Sequence, residues 1–145
     1  MKRRRPRNAM KKELQLPSEI SQVQTASAEV LRFLKPVSLS DDKLFDIRLC
    51  LEEALINAIK YGNKLDKNTK VYLSVEYDRE AVRIVVEDKG QGFNPKSIRS
   101  CISDENLLNN CGRGVYLIHR LMDEVNYNDK GNRVSMVKFV KNGSA

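Results

Sequence analysis

A glutamate and an asparagine stand out in this sequence because the residues around them are apolar. The segment 49–59 has eight apolar residues among eleven, and a helix places Glu53 and Asn57, four residues apart, on one face. Asp46 and Lys60 extend that stripe. Because an unpartnered buried carboxylate is destabilising, the stripe must meet polar groups. It faces either a ligand that uses a base and a hard oxygen donor, or solvent, with a simple Glu53–Lys60 contact along the helix edge.

A second candidate pattern is the D-K-G-Q-G segment that begins at Asp88, where a predicted strand ends. Gly90 and Gly92 allow the backbone to turn sharply or to approach a ligand closely. The pattern lacks the third glycine of a dinucleotide-binding fingerprint, and the chain contains no P-loop motif. By itself, D-x-G-x-G is more typical of an ordinary turn than of a ligand site.

A third pattern, G-R-G at Gly112, Arg113 and Gly114, directly precedes a predicted helix. Free N–H groups at a helix start and a nearby guanidinium together favour phosphate oxygens. The pattern is weak when it stands alone. The three patterns occurring in this order are much more specific than any one of them.

In this order, the three patterns resemble the N box and the two glycine boxes of the GHKL (Bergerat-fold) ATPase superfamily, which includes gyrase, Hsp90, histidine kinases and MutL. The small size, the glutamate of the N box and the ending GRGVYLIHRLMDEVNYN further resemble the anti-sigma-factor serine kinases of bacterial partner switching. The resemblance covers about residues 12–141. Tyr61 departs from it, since those kinases usually carry histidine there.

The resemblance implies ATP and magnesium as cofactors. Asn57 is similar to the magnesium ligand, a role that suits a hard oxygen donor. Asp88 is similar to the carboxylate that accepts a hydrogen bond from the adenine amino group. The other ATP-binding positions implied by the resemblance are Lys60, Gly90, Gly92, Gly112, Arg113 and Gly114.

The resemblance also implies a catalytic role for Glu53, as the general base that deprotonates a serine or threonine hydroxyl. Glu52 points about 100° away around the helix and is the poorer candidate. The implied function is an ATP-dependent protein serine/threonine kinase that acts as an anti-sigma factor. The alternative is a module of the same fold in which nucleotide only gates partner binding, without phosphotransfer.

The partners implied by the resemblance are proteins: a small anti-sigma-factor antagonist as the substrate, and a sigma factor as the target. Relatives pair through their sheets, which implies a homodimer. His119 is interpreted as a histidine at the edge of the core, because no dimerisation helix pair of a sensor kinase surrounds it.

The hydrophobic periodicity predicts an α+β fold, a two-layer sandwich of three helices on a mostly antiparallel mixed sheet. The helices are expected after Ser18, from the N-cap Ser40 to Tyr61, where Gly62 ends the helix in a left-handed turn, and from Gly114. The strands are expected at 13–16, 71–77, 81–88, 124–128 and 133–140.

The net charge of +7 comes from one end of the chain. Residues 1–12 hold seven basic side chains and no acidic one, whereas the other 133 residues carry 19 of each sign. We therefore expect a disordered basic tail at 1–12 and an ATPase domain at 13–145. Binding to nucleic acid is limited to weak contacts of that tail.

The sequence contains no run of 18 apolar residues, and its basic start is not followed by the apolar core of a secretory signal. Three cysteines and one histidine fit neither a disulfide framework nor a zinc site. These features favour a cytoplasmic protein without a membrane partner.

Overall fold

The structure is a computed structural model, and it describes residues 9–90 and 112–141. In chain order, the elements are β1 (Met10–Pro17), α1 (Gln22–Phe33), α2 (Asp41–Asn57), a π-helical turn (Ala58–Gly62), β2 (Lys70–Tyr77), β3 (Ala81–Glu87), α3 (Gly112–Leu121), β4 (Glu124–Tyr127) and β5 (Arg133–Phe139). Among these helices, none combines the length and the apolar character that crossing a bilayer requires.

The five strands form one sheet in the order β1-β2-β3-β5-β4, and all four pairings between them are antiparallel. The expected α+β sandwich is confirmed, with no parallel pairing among the described strands. Side chains alternate along each strand, so one face of the sheet is apolar and lies under the helices. The inner-face residues of β2, β3 and β5 that are fully or almost fully buried are Val71, Leu73, Val75, Val82, Ile84, Val86 and Met136.

Helix α2 is the central helix of the core. It begins as predicted at the N-cap Ser40, whose hydroxyl oxygen accepts a hydrogen bond of 3.2 Å from the backbone N–H of Lys43. Asp41 and Asp42 in the first turn oppose the helix dipole. Glu52 points away from the Glu53 stripe toward α1, where it accepts a 2.7 Å hydrogen bond from the Ser27 hydroxyl.

The end of α2 differs from the prediction. After Asn57 the chain widens into a π-helical turn, closed by a 2.8 Å hydrogen bond from the N–H of Asn63 to the carbonyl of Ala58. The expectation that Gly62 ends the helix in a left-handed conformation is wrong. The left-handed residues are Lys64 and Leu65, with φ of 53° and 61°. Gly62 is needed for a different reason, namely close packing against Asp88.

Two boundaries also shift. Strand β1 begins at Met10, three residues before the expected start, so Lys11 and Lys12 lie in a strand that pairs with β2. Helix α1 begins at Gln22, because the chain at 18–21 first forms turns, with the N–H of Gln22 bonded to the carbonyl of Glu19. Neither shift changes the layer to which the element belongs.

The β2–β3 hairpin turns around Asp78, which is buried. Its carboxylate accepts hydrogen bonds from the N–H groups of Glu80 at 2.7 Å and Ala81 at 3.0 Å, and it pairs with the Arg83 guanidinium at 3.0 Å. Burial acts to raise the pKa of this carboxyl, but the two N–H groups and Arg83 outweigh it and hold the pKa below its usual value.

We expect Asp78→Ala to lower the free energy of unfolding at pH 7 by about 2–3 kcal/mol, because two backbone donors and Arg83 lose their acceptor. A depressed pKa gives stability that is present above the carboxyl's ordinary pKa and is lost as the pH falls below about 4. The difference between variant and parent in urea unfolding should therefore shrink at pH 3. Asp66→Ala, which removes an exposed acceptor from the N–H of Asn68, is the control and should cost under ~1 kcal/mol. An equal loss at both pH values would contradict the assignment.

Candidate functional site

The π-helical turn after α2 and the loop after β3 approach each other so closely that there is no room for a side chain on Gly62 or Gly90. A Cβ atom placed on Gly62 would overlap the carboxyl group of Asp88, and one placed on Gly90 would overlap the carbonyl of Gly62. Glycine is therefore required at both positions to let the two backbones approach. The predicted pair Asp88 and Gly90 is thus packed directly against the last turn of the predicted catalytic helix.

Asp88 is buried at this contact. One carboxylate oxygen accepts a 2.7 Å hydrogen bond from the N–H of Gly90. Burial raises the pKa of the Asp88 carboxyl, and the negative charge of Glu87 adds to the effect, while the Gly90 N–H and Lys130 act in the opposite direction. Because a carboxylate has about four acceptor positions, one bound N–H leaves Asp88 able to accept a hydrogen bond from a ligand.

Asn63 connects the same region and was not identified from the sequence. Its side-chain oxygen accepts from the N–H of Lys89 at 2.7 Å, and its NH₂ donates to the hydroxyl of Ser18 at 2.9 Å and to the carbonyl of Lys70 at 3.2 Å. Asparagine directly after a helix is common, so the sequence offers no local signal of this role. Only the long-range contacts reveal it.

The stripe of α2 that carries Glu53 faces α3, and the two helices run antiparallel. A Cβ atom on Gly114, in the first turn of α3, would overlap the carboxylate of Glu53. One turn earlier on α2, the Sγ atom of Cys50 lies 3.9 Å from the carbonyl oxygen of Leu117. The glycine thus leaves the space in which the Glu53 carboxylate lies beside the helix start.

The far end of the same stripe is held by a partly buried ion pair. The ammonium group of Lys138 on β5 lies 3.1 Å from the carboxylate of Asp46 and also donates to the carbonyl of Leu121, at the end of α3. Strand alternation places Lys138 on the same inner face as Val134 and Met136. A lysine on that face indicates in the sequence that an acidic partner lies nearby.

Two other titratable groups lie near this interface, the Cys50 thiol and the His119 imidazole. Burial raises the pKa of the Cys50 thiol to about 12, with Asp46 adding to the effect, so the thiol stays protonated. The predicted core-edge position of His119 is confirmed: a ring nitrogen lies 3.1 Å from the Tyr127 hydroxyl, and burial lowers the pKa of the imidazole.

The alternative contact between Glu53 and Lys60 is wrong: within residues 9–90 and 112–141, no ion pair joins them. Lys60 is exposed, and its ammonium group lies 5.4 Å from the ring centroid of Tyr61. Asn57 is half-buried one turn after Glu53, at the end of α2. Its amide oxygen is a donor of the kind that Mg²⁺ prefers.

Three predicted positions lie wholly or partly outside the described residues. Gly92 lies outside the described residues. Gly112 and Arg113 belong to the first turn of α3, but their side-chain surroundings are outside the described part of the chain. The described site therefore consists of the Glu53–Gly114 contact, Asn57, and the Asp88–Gly90 loop.

The chain matches known proteins in sequence and in structure. The family model of the histidine kinase-like ATPase domain matches residues 16–138. The serine-protein kinases RsbW of Staphylococcus aureus strains JH9 and Newman are each 30% identical over 139 residues, which span 89% of this chain and 86% of theirs. A crystal structure of the RsbU and RsbW domains of a Mycobacterium tuberculosis protein shares the fold, with a TM-score of 0.60 at 15% identity. The match covers 91% of this chain and 32% of that one.

The raised pKa of Asp88 predicts the effect of Asp88→Asn on stability. An acid whose pKa is raised by folding favours the folded state below its ordinary pKa, and this contribution is lost as the pH rises through the raised value. Asparagine keeps an oxygen for the Gly90 N–H and carries no charge. We expect the nucleotide-free variant to be at least as stable as the parent at pH 7, with the difference lost below about pH 4. Thermal unfolding at both pH values tests this, with the exposed Asp129→Asn as control. A large loss of stability at pH 7 would contradict it.

Proposed function

The chain belongs to the histidine kinase-like ATPase domain family, and on that premise we propose that it is a cytoplasmic, ATP-dependent protein serine/threonine kinase. Its substrate would be a small anti-sigma-factor antagonist, with a sigma factor as the regulated target. The observation that carries the proposal is the arrangement of Glu53. Its carboxylate lies against the first turn of α3, one helical turn before an asparagine suited to magnesium. A module that only binds nucleotide has no need of a base at that position.

The two ends of the nucleotide would be recognised by different elements. Asp88 has acceptor positions left for the adenine amino group, because the Gly90 N–H occupies only part of its capacity. The phosphates would lie toward the start of α3, where backbone N–H groups and the helix dipole favour negative charge. The exposed ammonium of Lys60 is free to move toward them, since its described contact is with an exposed ring.

Phosphoryl transfer needs mainly positioning and charge neutralisation. Asn57 would hold Mg²⁺ through its amide oxygen, and the ion when bound would neutralise phosphate charge. Glu53 would orient the hydroxyl of the substrate serine or threonine and accept its proton as the oxygen attacks the γ-phosphorus. Glu52 is not placed for this task, because it points about 100° away around α2 and its carboxylate accepts a hydrogen bond from Ser27.

We expect Glu53→Gln to lower the rate of γ-phosphate transfer to the antagonist by about 10²–10⁴-fold, because the amide cannot accept a proton. ATP affinity should stay within about threefold, since no hydrogen bond to the nucleotide is removed. Radiolabelled transfer and calorimetric titration with ATP measure the two effects. Glu52→Gln is the matched control and should transfer phosphate at the parental rate. Unchanged transfer in Glu53→Gln would show that Glu53 is not the base, whereas ATP binding without any transfer by the parent would favour the nucleotide-gated binding module.

Asn57→Ala should weaken ATP binding about tenfold or more when Mg²⁺ is present, because an oxygen ligand of the ion is lost. In excess EDTA, variant and parent should bind ATP alike. Asn68→Ala, in an exposed turn, is the control and should behave as the parent under both conditions. If Asn57→Ala and the parent differ equally with and without Mg²⁺, Asn57 is not a magnesium ligand.

A further inference from the structure

One peptide group in the site is held at both ends by asparagine side chains. It joins Asp88 to Lys89. Its N–H donates to the side-chain oxygen of Asn63 at 2.7 Å, and its carbonyl accepts from the side-chain NH₂ of Asn132 at 2.7 Å. The amide orientations follow from these partners, because an N–H requires an oxygen and a carbonyl requires a donor.

The two asparagines approach the peptide from separate parts of the chain. Asn63 follows the π-helical turn, 26 residues before Lys89, and Asn132 precedes β5, 44 residues after Asp88. The backbone N–H of Asp88 also donates to the carbonyl of Asn132 at 2.9 Å. The orientation of this peptide plane is thus set by contacts on both sides.

Fixing this peptide plane restricts the backbone torsions ψ of Asp88 and φ of Lys89, and thereby the direction in which the Asp88 side chain leaves the backbone. The Asp88 carboxyl group lies against the backbone of Gly62, where there is no spare room. Even a small rotation of the Asp88–Lys89 peptide would move the carboxylate oxygen that is not bonded to Gly90. A hydrogen bond that discriminates between bases needs an acceptor that is held in place.

We propose that Asn63 and Asn132 form an asparagine clamp, defined as the two side chains bound to the Asp88–Lys89 peptide, and that this clamp sets the preference for adenine over guanine. The inference rests on the proposed function, in which Asp88 accepts from the adenine amino group. Guanine presents a carbonyl at the equivalent ring position, which a carboxylate repels. The clamp residues are positioning residues: they act on the base through Asp88.

The test compares dissociation constants of the full chain for ATP and GTP. Asn63→Ala and Asn132→Ala should each reduce the ratio of GTP to ATP dissociation constants about tenfold or more, because the acceptor is no longer fixed. Their affinity for inorganic tripolyphosphate, which has no base, should stay at the parental level. A merely structural role would weaken all three ligands together and leave the ratio unchanged.

Two further variants separate positioning from stability. Ser18→Ala removes one of the two partners of the Asn63 NH₂ and leaves the bond to Lys89 intact. It should therefore lower the unfolding midpoint and keep the parental ratio of dissociation constants. Asn63→Asp keeps the oxygen that binds the Lys89 N–H, and it should also keep the ratio. If Asn63→Ala does not fold, Asn132→Ala carries the test, since its side chain is less buried.

Asp88→Asn in the same series distinguishes failure of the clamp from failure of the site. If Asp88→Asn retains the parental ratio, Asp88 does not read the base and the proposed adenine site is wrong. If Asp88→Asn lowers the ratio of GTP to ATP dissociation constants and the folded clamp variants keep the parental ratio, only the clamp is overturned. The clamp is supported if Asp88→Asn and both alanine variants lower the ratio of GTP to ATP dissociation constants while Ser18→Ala keeps it.

Discussion

The contact between the Asp88 carboxyl and the backbone of Gly62 is the constraint on which the site depends. Two segments that are distant in sequence, the turn after a central helix and the end of a central strand, meet there at a separation that leaves no room for a Cβ atom on Gly62 or Gly90. Because the cores of proteins are close-packed, such a contact fixes the helix end relative to the sheet. The π-helical turn that ends at Gly62 and the left-handed residues Lys64 and Leu65 lie directly at this contact.

The packing of α2 on α3 divides one polar stripe into a structural and a functional end. At the closed end, Asp46 meets Lys138, and the lysine also binds the last carbonyl of α3. At the open end, Glu53 lies against Gly114, where the positive end of the α3 dipole faces it. The partly buried ion pair and the protonated thiol of Cys50 hold the register of the two helices. That register brings the Glu53 carboxylate to the helix start.

The sequence predicts those parts of the fold that depend on near neighbours. Periods of two and 3.6 residues identify β2, β3 and α2, and the Ser40 cap marks a helix start, because each is decided within a few residues. The motif order also brings attention to Glu53 and Asp88. The π-helical turn and the roles of Asn63 and Asn132 could not be read in this way, since they arise from contacts between residues 26 to 45 positions apart. Gly62 was noticed for the wrong reason: it serves close packing, not a left-handed turn.

The carboxylates of this domain differ in how much of their hydrogen-bonding capacity is used, and that difference separates structure from function. Asp78 accepts from two backbone N–H groups and pairs with an arginine, and its pKa is lowered. Asp88 receives one N–H in a buried position, and its pKa is raised. A buried carboxylate with unused acceptors is destabilising for the empty protein, because its charge is only partly compensated. A ligand that donates a hydrogen bond to Asp88 removes this penalty. Part of the binding free energy of that ligand therefore comes from compensating the buried charge. The asparagines that fix the Asp88–Lys89 peptide keep that unused acceptor pointed at one place, which converts a local destabilisation into selectivity.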